Sequence, residues 1–161
     1  MIDPSHPKAF TIEYDGLVSA LETQCGVCEA YDPTAPDARH PAVQQYNTIW
    51  DTGAMRSVIS TSVVRRLKLK PTGMTKIFHA NGASVVHTYS VNILLPNNVF
   101  FSSLPVTEGL LNDTDVLIGM DIISRGDFSI TAANNRTKFS FQIPSTHDID
   151  YLREGKRPIQ R

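Results

Sequence analysis

The sequence predicts an all-β domain. Short runs rich in Val, Ile, Thr, Tyr and Phe recur between Gly, Asn and Pro residues, whereas helical periodicity is scarce. The chain has 161 residues, of which 41% are apolar, so it holds enough material for one hydrophobic core and too little for two. We therefore expect a single antiparallel β domain.

The N-terminal part carries the first strand signals. Phe10, Ile12 and Tyr14 alternate with polar residues, Asp15-Gly16 offers a two-residue turn, and residues 17–27 have the composition of a longer strand. This pattern predicts a β-hairpin. Residues 31–41 follow with three prolines, which cannot donate to a β-ladder, and we expect them to form an exposed loop.

The middle of the chain predicts strands around one short helix. Residues 43–50 form a strand that runs into Asp51, and residues 57–60 form a short second one. Residues 61–67 predict a helix with a hydroxyl residue as its N-cap, and Pro71 prevents its continuation.

The C-terminal half continues the β pattern. Asn81-Gly82 predicts a tight hairpin, because both residues tolerate positive φ. Asp121 is the expected N-cap of a helical turn that ends at Gly126, and Asn134-Asn135 is the expected turn of a last hairpin. The strands expected here cover residues 76–78, 84–95, 99–106, 115–119, 128–131 and 137–143.

These elements predict one domain over residues 8–143. The tail at 144–161 mixes charged residues with prolines and has too few apolar residues for a core of its own, so we expect it to be disordered or docked on a partner subunit.

The charge balance argues against several partners. Fifteen Lys and Arg residues face sixteen Asp and Glu residues, and a net charge of -1 favours neither nucleic acid nor an anionic membrane surface. No apolar run approaches the ~20 residues of a membrane span, and the first residues lack the features of a secretory signal. A cytoplasmic location is the expectation.

Cys25 and Cys28 form the one Cys-x-x-Cys of the sequence. A structural zinc site needs two further ligands, and His40, the nearest candidate, falls in the proline-rich loop. No strand-to-helix context of the thioredoxin kind surrounds the pair. We expect two half-buried strand residues, with no metal and no cofactor.

The segment Ile49-Trp50-Asp51-Thr52-Gly53-Ala54 carries the clearest chemical signal. The carboxylate follows an apolar strand and is expected to lie in a low-dielectric environment. There its charged form is disfavoured unless a neighbouring group stabilises it. Gly53 permits a sharp turn, Thr52 can bond to main chain, and Ala54 leaves room beside the acid. Asp-Thr-Gly alone also occurs in ordinary Asx turns.

Three segments together resemble the retropepsin-like aspartic peptidases: residues 49–54, His79-Ala80-Asn81-Gly82, and Asp115-Val116-Leu117-Ile118-Gly119-Met120-Asp121. Their order and spacing are similar to those of the family. The resemblance implies a single-domain β-barrel with a flap hairpin and one short helix, with the likeness extending over about residues 10–143.

The same resemblance implies roles for individual residues. Asp51 would be the catalytic aspartate, and Thr52 would bond across a dimer to support the site. The substrate would contact Gly53, Ala54, Ala80, Asn81, Gly82 and Ile118. Met55 and Met120 depart from the retroviral pattern, which has an acid and an arginine at these positions, so an apolar contact would replace an ion pair.

The chain has one Asp-Thr-Gly, since Asp113-Thr114-Asp115 lacks the glycine. Hydrolysis by paired carboxylates therefore predicts a homodimer that acts on a polypeptide in extended conformation. In such a dimer the two Asp51 carboxylates would lie within a few Å of each other and could not both ionise easily. The pair would share one proton, with one carboxylate acting as base and the other as acid. The alternative is a module of the same fold that binds peptides or mediates dimerisation without catalysis.

Overall fold

A computed structural model describes residues 7–32, 34–35, 40–79 and 82–154. Within these ranges the chain forms two β-sheets and three short helices. The strands are β1 (Lys8–Glu13), β2 (Leu21–Glu29), β3 (Gln44–Trp50), β4 (Val58–Ser60), β5 (Gly73–His79), β6 (Gly82–Leu95), β7 (Val99–Gly109), β8 (Val116–Ile118), β9 (Asp127–Thr131) and β10 (Lys138–Ile143). The helices are α1 (Thr61–Leu67), α2 (Met120–Ile123) and α3 (Tyr151–Glu154).

The larger sheet closes into a barrel. Its strands follow the order β2-β3-β8-β4-β7-β6-β5, and β2 also pairs with β6, so six strands form a ring and β5 lies outside it. The interior is filled by fully buried branched residues such as Val27, Ile59, Val91 and Val106. The predicted all-β class is confirmed.

The smaller sheet corrects one prediction. The expected hairpin of residues 10–27 is wrong, because β1 pairs with β10 from the other end of the chain and not with β2. Phe10 lies opposite Phe141, so the apolar face of β1 is next to apolar side chains of β10. Residues 17–20 belong to no strand. The sheet order is β1-β10-β9.

An aromatic cluster joins this sheet to the barrel. The Trp50 ring, at the end of β3, lies 5.0 Å from the Phe139 ring and 5.2 Å from the Phe141 ring, both on β10. Phe10 and Phe128 complete the cluster from β1 and β9. Because Trp50 directly precedes Asp51, this packing fixes the strand end that carries the candidate acid.

Two of the helices were expected. α1 covers the predicted residues, with Ser60 as N-cap and Lys68 in left-handed conformation at its end. α2 is one turn, but its predicted cap is wrong: Gly119 is the N-cap position, and the Asp121 carboxylate accepts hydrogen bonds from Ser57 instead.

The hairpins in the middle and at the end of the domain agree with the sequence pattern. β5 and β6 pair up to His79 opposite Gly82, where Gly82 has a φ of 122°. Ala80 and Asn81 lie outside the described residues. β9 and β10 pair on either side of Asn134 and Asn135, which both have positive φ.

The first part of the tail contacts its own chain, so residues 145–147 are ordered against β9, and docking of the tail on a partner subunit stays a prediction. The Asp127 carboxylate accepts hydrogen bonds from the Ser145 hydroxyl, the Thr146 N–H and His147. Farther along, α3 exposes Tyr151 and Leu152. No helix within the described ranges is long and apolar enough to cross a bilayer.

Candidate active site

Asp51 follows β3 at the point where this strand lies parallel to β8. The Asp51 N–H donates to the Ile118 carbonyl over 2.9 Å, which extends the ladder by one bond beyond Trp50. The Asp51 Oδ1 accepts from the Gly53 N–H at 2.8 Å, so the Asp-Thr-Gly segment closes an Asx-type turn. A Cβ at Gly53 would lie 3.1 Å from Oδ1, so glycine keeps the carboxylate uncrowded.

The active-site loop is held against the start of α2. The Met120 N–H donates to the Ala54 carbonyl over 2.8 Å. A Cβ at Gly119 would lie 2.6 Å from the carbonyl carbon of Arg56, so only glycine allows the two backbones to approach this closely. Two of the three segments that carry the family resemblance, residues 49–54 and 115–121, are therefore in direct contact.

The buried Ser57 and the partly buried Asp121 are hydrogen-bonded to each other next to this contact. The Ser57 N–H donates to both Asp121 carboxylate oxygens at 3.0 Å, and the Ser57 hydroxyl donates to Oδ1 at 2.8 Å. The same hydroxyl oxygen accepts from the Gly119 N–H at 3.1 Å. Sequence reasoning missed both residues as parts of the site, and the lone polar serine before a β-branched strand was the available signal.

The predicted site residues differ in exposure. Asp51 and Ala54 are half-buried, and Thr52 and Gly53 are exposed, so this turn is open to a ligand or a second chain. Ile118 is fully buried, which fits the predicted packing beneath the loop and leaves it no surface for the predicted substrate contact. Gly82, the first residue of β6, is exposed, and Ala80 and Asn81 lie outside the described residues.

A groove of about 510 Å³ borders the carboxylate. Trp50, Asp51 and Thr52 are among the residues that line it. The rest of the lining comes from the 17–21 segment, from β9 with the residue next to it, and from the residue before β10: Leu17, Val18, Ser19, Ala20, Leu21, Phe128, Ile130, Ala132 and Thr137. The surface of this groove is more apolar than polar and lies next to a carboxylate. Such a surface can bind a peptide chain or a partner subunit.

The cysteines lie away from this groove. Both are free and buried, more deeply than the half-buried state expected from the sequence. Cys25 accepts a hydrogen bond from the Thr48 hydroxyl, and burial raises the pKa of its thiol to about 12. Among the described residues, no group of three His, Cys, Asp or Glu side chains is arranged to hold a metal ion.

The two β-sheets and the Asp-Thr-Gly turn after β3 are those of the retropepsin-like aspartic peptidase family. The model of the gag-polyprotein putative aspartyl protease family matches residues 43–125, more than half of the chain. The chain belongs to this family. No curated protein matches the sequence.

Solved structures agree on the fold. A retropepsin-like aspartic protease from Rickettsia conorii is similar at a TM-score of 0.51 and 14% identity, with 85% of this chain and 95% of that chain covered. The EIAV protease complexed with the inhibitor HBY-793 is similar at a TM-score of 0.51 and 20% identity, covering 69% of this chain and 90% of that chain. The predicted retropepsin-like fold is thereby confirmed.

Proposed function

We propose that residues 8–143 form an aspartic endopeptidase domain that hydrolyses peptide bonds with Asp51 of two identical chains. The observation that carries this proposal is the Asp51-Thr52-Gly53 turn, whose half-buried carboxylate is oriented by the Gly53 N–H at the edge of an apolar groove. Thr52, exposed beside it, is available to bond across a dimer.

The chemistry requires a second carboxylate. Two Asp51 side chains that face each other around one water would share a proton, because two negative charges a few Å apart repel strongly. The ionised carboxylate takes a proton from the attacking water, and the protonated one donates to the oxygen of the scissile carbonyl. The roles exchange as the intermediate collapses into acid and amine.

The substrate in this proposal is a polypeptide in extended conformation. Gly53 and Ala54 would contact its backbone, and the β5–β6 hairpin would close over it as a flap, with Ala80, Asn81 and Gly82 as the substrate-contacting residues that the family resemblance implies. No metal or organic cofactor takes part.

Cleavage of a mixed peptide library between pH 4 and 7 tests the proposal, with dimer content followed by sedimentation in the same buffers. Asp51→Asn is expected to lower cleavage by at least about 1,000-fold and to leave the dimer intact, because it removes the shared acid and base while preserving shape. Asp113→Asn is the matched control, since Asp113 is exposed in an Asp-Thr sequence without the glycine. Cleavage that survives Asp51→Asn refutes the mechanism. An intact wild-type dimer without cleavage favours a peptide-binding module.

A further inference from the structure

The β5–β6 hairpin leaves the barrel at a definite point. Thr88 of β6 pairs with Gly73 of β5 on one side and with Thr107 of β7 on the other. From His87 outward to Gly82, the described residues show pairing of β6 with β5 alone. The contacts next to Thr88 therefore set the direction in which the hairpin leaves the barrel.

Three polar side chains meet at this point. The Glu108 carboxylate, on β7, accepts a hydrogen bond from the Tyr89 hydroxyl over 3.0 Å. His87 Nδ1 lies 3.8 Å from the same carboxylate oxygen, Oε2, which is close enough for an ion pair and too long for a hydrogen bond. Tyr89 and Glu108 lie on strand segments that belong to the barrel, whereas His87 lies on the part of β6 that pairs with β5 alone.

Glu108 is held in place from the barrel side. It pairs with Ile59 of β4, whose side chain is fully buried. Burial, and then the hydrogen bond to Glu108, raises the pKa of Tyr89, so the tyrosine hydroxyl keeps its proton and continues to donate. A carboxylate offers more lone pairs than this one bond uses, so Glu108 can accept a further donor from His87.

The charge of His87 decides how strongly the hairpin is attracted to β7 here. A histidine ordinarily gains its positive charge as the pH falls from 8 to 5, whereas a glutamate stays ionised over most of this range. A protonated imidazole donates from both ring nitrogens, so it can convert the 3.8 Å contact into a charge-assisted hydrogen bond to Glu108. The attraction is present at acid pH and is lost as the pH rises.

The strands β5, β6 and β7 supply the side chains that face His87. Met74 lies directly opposite it on β5, and Lys76 follows on the same face, one pair nearer the end of the hairpin. Tyr89 and Glu108 face it from β6 and β7. Lysine and tyrosine ordinarily keep their charge state between pH 5 and 8, so the group whose charge changes there is the histidine.

We propose that His87 is a positioning residue of the flap: its protonated ring binds Glu108 and fixes the base of the β5–β6 hairpin against β7. This inference rests on the proposed function, in which that hairpin is the flap over the substrate. A fall in pH then prepares the flap under the same conditions that favour a shared proton between two Asp51 carboxylates.

Amide hydrogen exchange measures this contact without any substrate. Protection factors of residues 73–77 and 83–88, corrected for intrinsic exchange, are compared at pH 5 and 8, with the β2–β3 ladder as internal reference. Wild type should protect the hairpin about twofold to fivefold more at pH 5, the range expected for a partly exposed ion pair. His87→Gln and Glu108→Gln should each remove this difference, and the double variant should lose nothing more.

Two further variants separate charge from structure. His87→Lys carries its positive charge at both pH values, so it should protect the hairpin at pH 8 about as well as wild type does at pH 5. His40→Gln is the matched control for loss of a histidine, since His40 is exposed and its ring packs against Tyr31. It should keep the wild-type difference between the two pH values. Circular dichroism checks the folding of every variant.

Peptide cleavage tests whether the contact positions the flap. At pH 5, His87→Gln should raise KM about twofold to fivefold with kcat nearly unchanged, because a less ordered flap weakens binding. At pH 8, where the wild-type histidine is neutral, the two enzymes should have the same KM.

Three results would overturn the proposal: equal hairpin protection of wild type at pH 5 and 8, a pH difference that survives in His87→Gln, or an unchanged KM in an active His87→Gln enzyme. A wild-type dimer that cleaves no peptide refutes the proposed function. Hydrogen exchange then still decides whether protonated His87 holds the hairpin against β7.

Discussion

Gly119 is the residue at which the active-site loop and the start of α2 come closest. Any residue can adopt its φ of -101°, so backbone conformation does not require glycine here. The steric reason is that a Cβ would lie 2.7 Å from the Arg56 carbonyl oxygen and 2.9 Å from the Ala54 carbonyl oxygen. Both neighbours are backbone atoms and cannot move aside cheaply. The loop that carries Asp51 would have to shift.

Gly119→Ala is therefore expected to lower the free energy of unfolding by about 1–3 kcal/mol, as overpacking of a tight contact does, and to reduce peptide cleavage. Urea unfolding and cleavage assays measure the two effects. Gly16→Ala is the control, because a Cβ there meets nothing within 4 Å, and its stability should stay within about 0.5 kcal/mol of wild type. Equal effects of the two substitutions would contradict the steric explanation.

Ser57→Ala probes the bridge to Asp121. The serine is fully buried, and loss of its hydroxyl leaves the Gly119 N–H without its acceptor, while the Asp121 Oδ1 keeps only the bond from the Ser57 N–H. We expect unfolding to become easier by about 1–3 kcal/mol, the usual cost of an unsatisfied buried polar group. Urea unfolding measures it, with Ser102→Ala on the exposed face of β7 as control. A change as small as that of the control would show that the bridge contributes little.

The sequence indicated some of these residues and not others, for a physical reason. Asp51, Thr52 and Gly53 form a local turn whose hydrogen bond runs from the Gly53 N–H to the Asp51 carboxylate. The sequence of these three residues is therefore enough to predict the turn. Ser57 and Asp121 lie 64 positions apart, and only the folded chain brings them together. Asp121 was consequently interpreted as a helix cap, the role that its immediate neighbours favour.

At the scale of elements, strand existence was more predictable than strand pairing. The period-2 patterns of β3, β6 and β10 indicate strands because side chains alternate between faces. Nothing in the β1 pattern tells whether its apolar face meets β2 or β10. The choice depends on aromatic packing around Trp50, which involves residues from four strands and is invisible to a local window.

The contact between β9 and the tail should respond to acid. Burial alone would raise the pKa of Asp127, but hydrogen bonds from Ser145, Thr146 and His147 outweigh it and lower the pKa from 3.8 to about 2. A carboxyl with a lowered folded-state pKa stabilises the fold above its unfolded pKa and loses that contribution as the pH falls. The window is about pH 4 to 2.

Wild type should consequently lose at most about 2 kcal/mol more stability than Asp127→Asn between pH 5 and 2. Urea unfolding at several pH values measures the difference. Asp113→Asn serves as control and should follow the wild-type curve. Parallel curves for wild type and Asp127→Asn would show that the tail contact does not stabilise the folded chain.

At the scale of the whole molecule, the barrel and the three-stranded sheet differ in how their edge strands are paired. The barrel closes on itself through the β2–β6 pairing, so its ring needs no partner. Among the described residues, β9 pairs with β10 alone, and the half-exposed Ile130 of β9 lines the same groove as Asp51. Each chain carries one Asp-Thr-Gly carboxylate in this groove, so the proposed mechanism, which needs two carboxylates, requires a second chain.

Mixing active and inactive chains tests this assembly directly. If every active site needs two intact Asp51 residues, random exchange of wild type with an equal amount of Asp51→Asn leaves about a quarter of the dimers fully wild type. Cleavage at constant total protein should then fall to about a quarter of the all-wild-type rate, since the mixed dimers lack one carboxylate. A site contained within one chain would retain about half. Measuring the rate over a series of mixing ratios separates a quadratic from a linear dependence, and a linear dependence would show that Asp51 acts without a second copy.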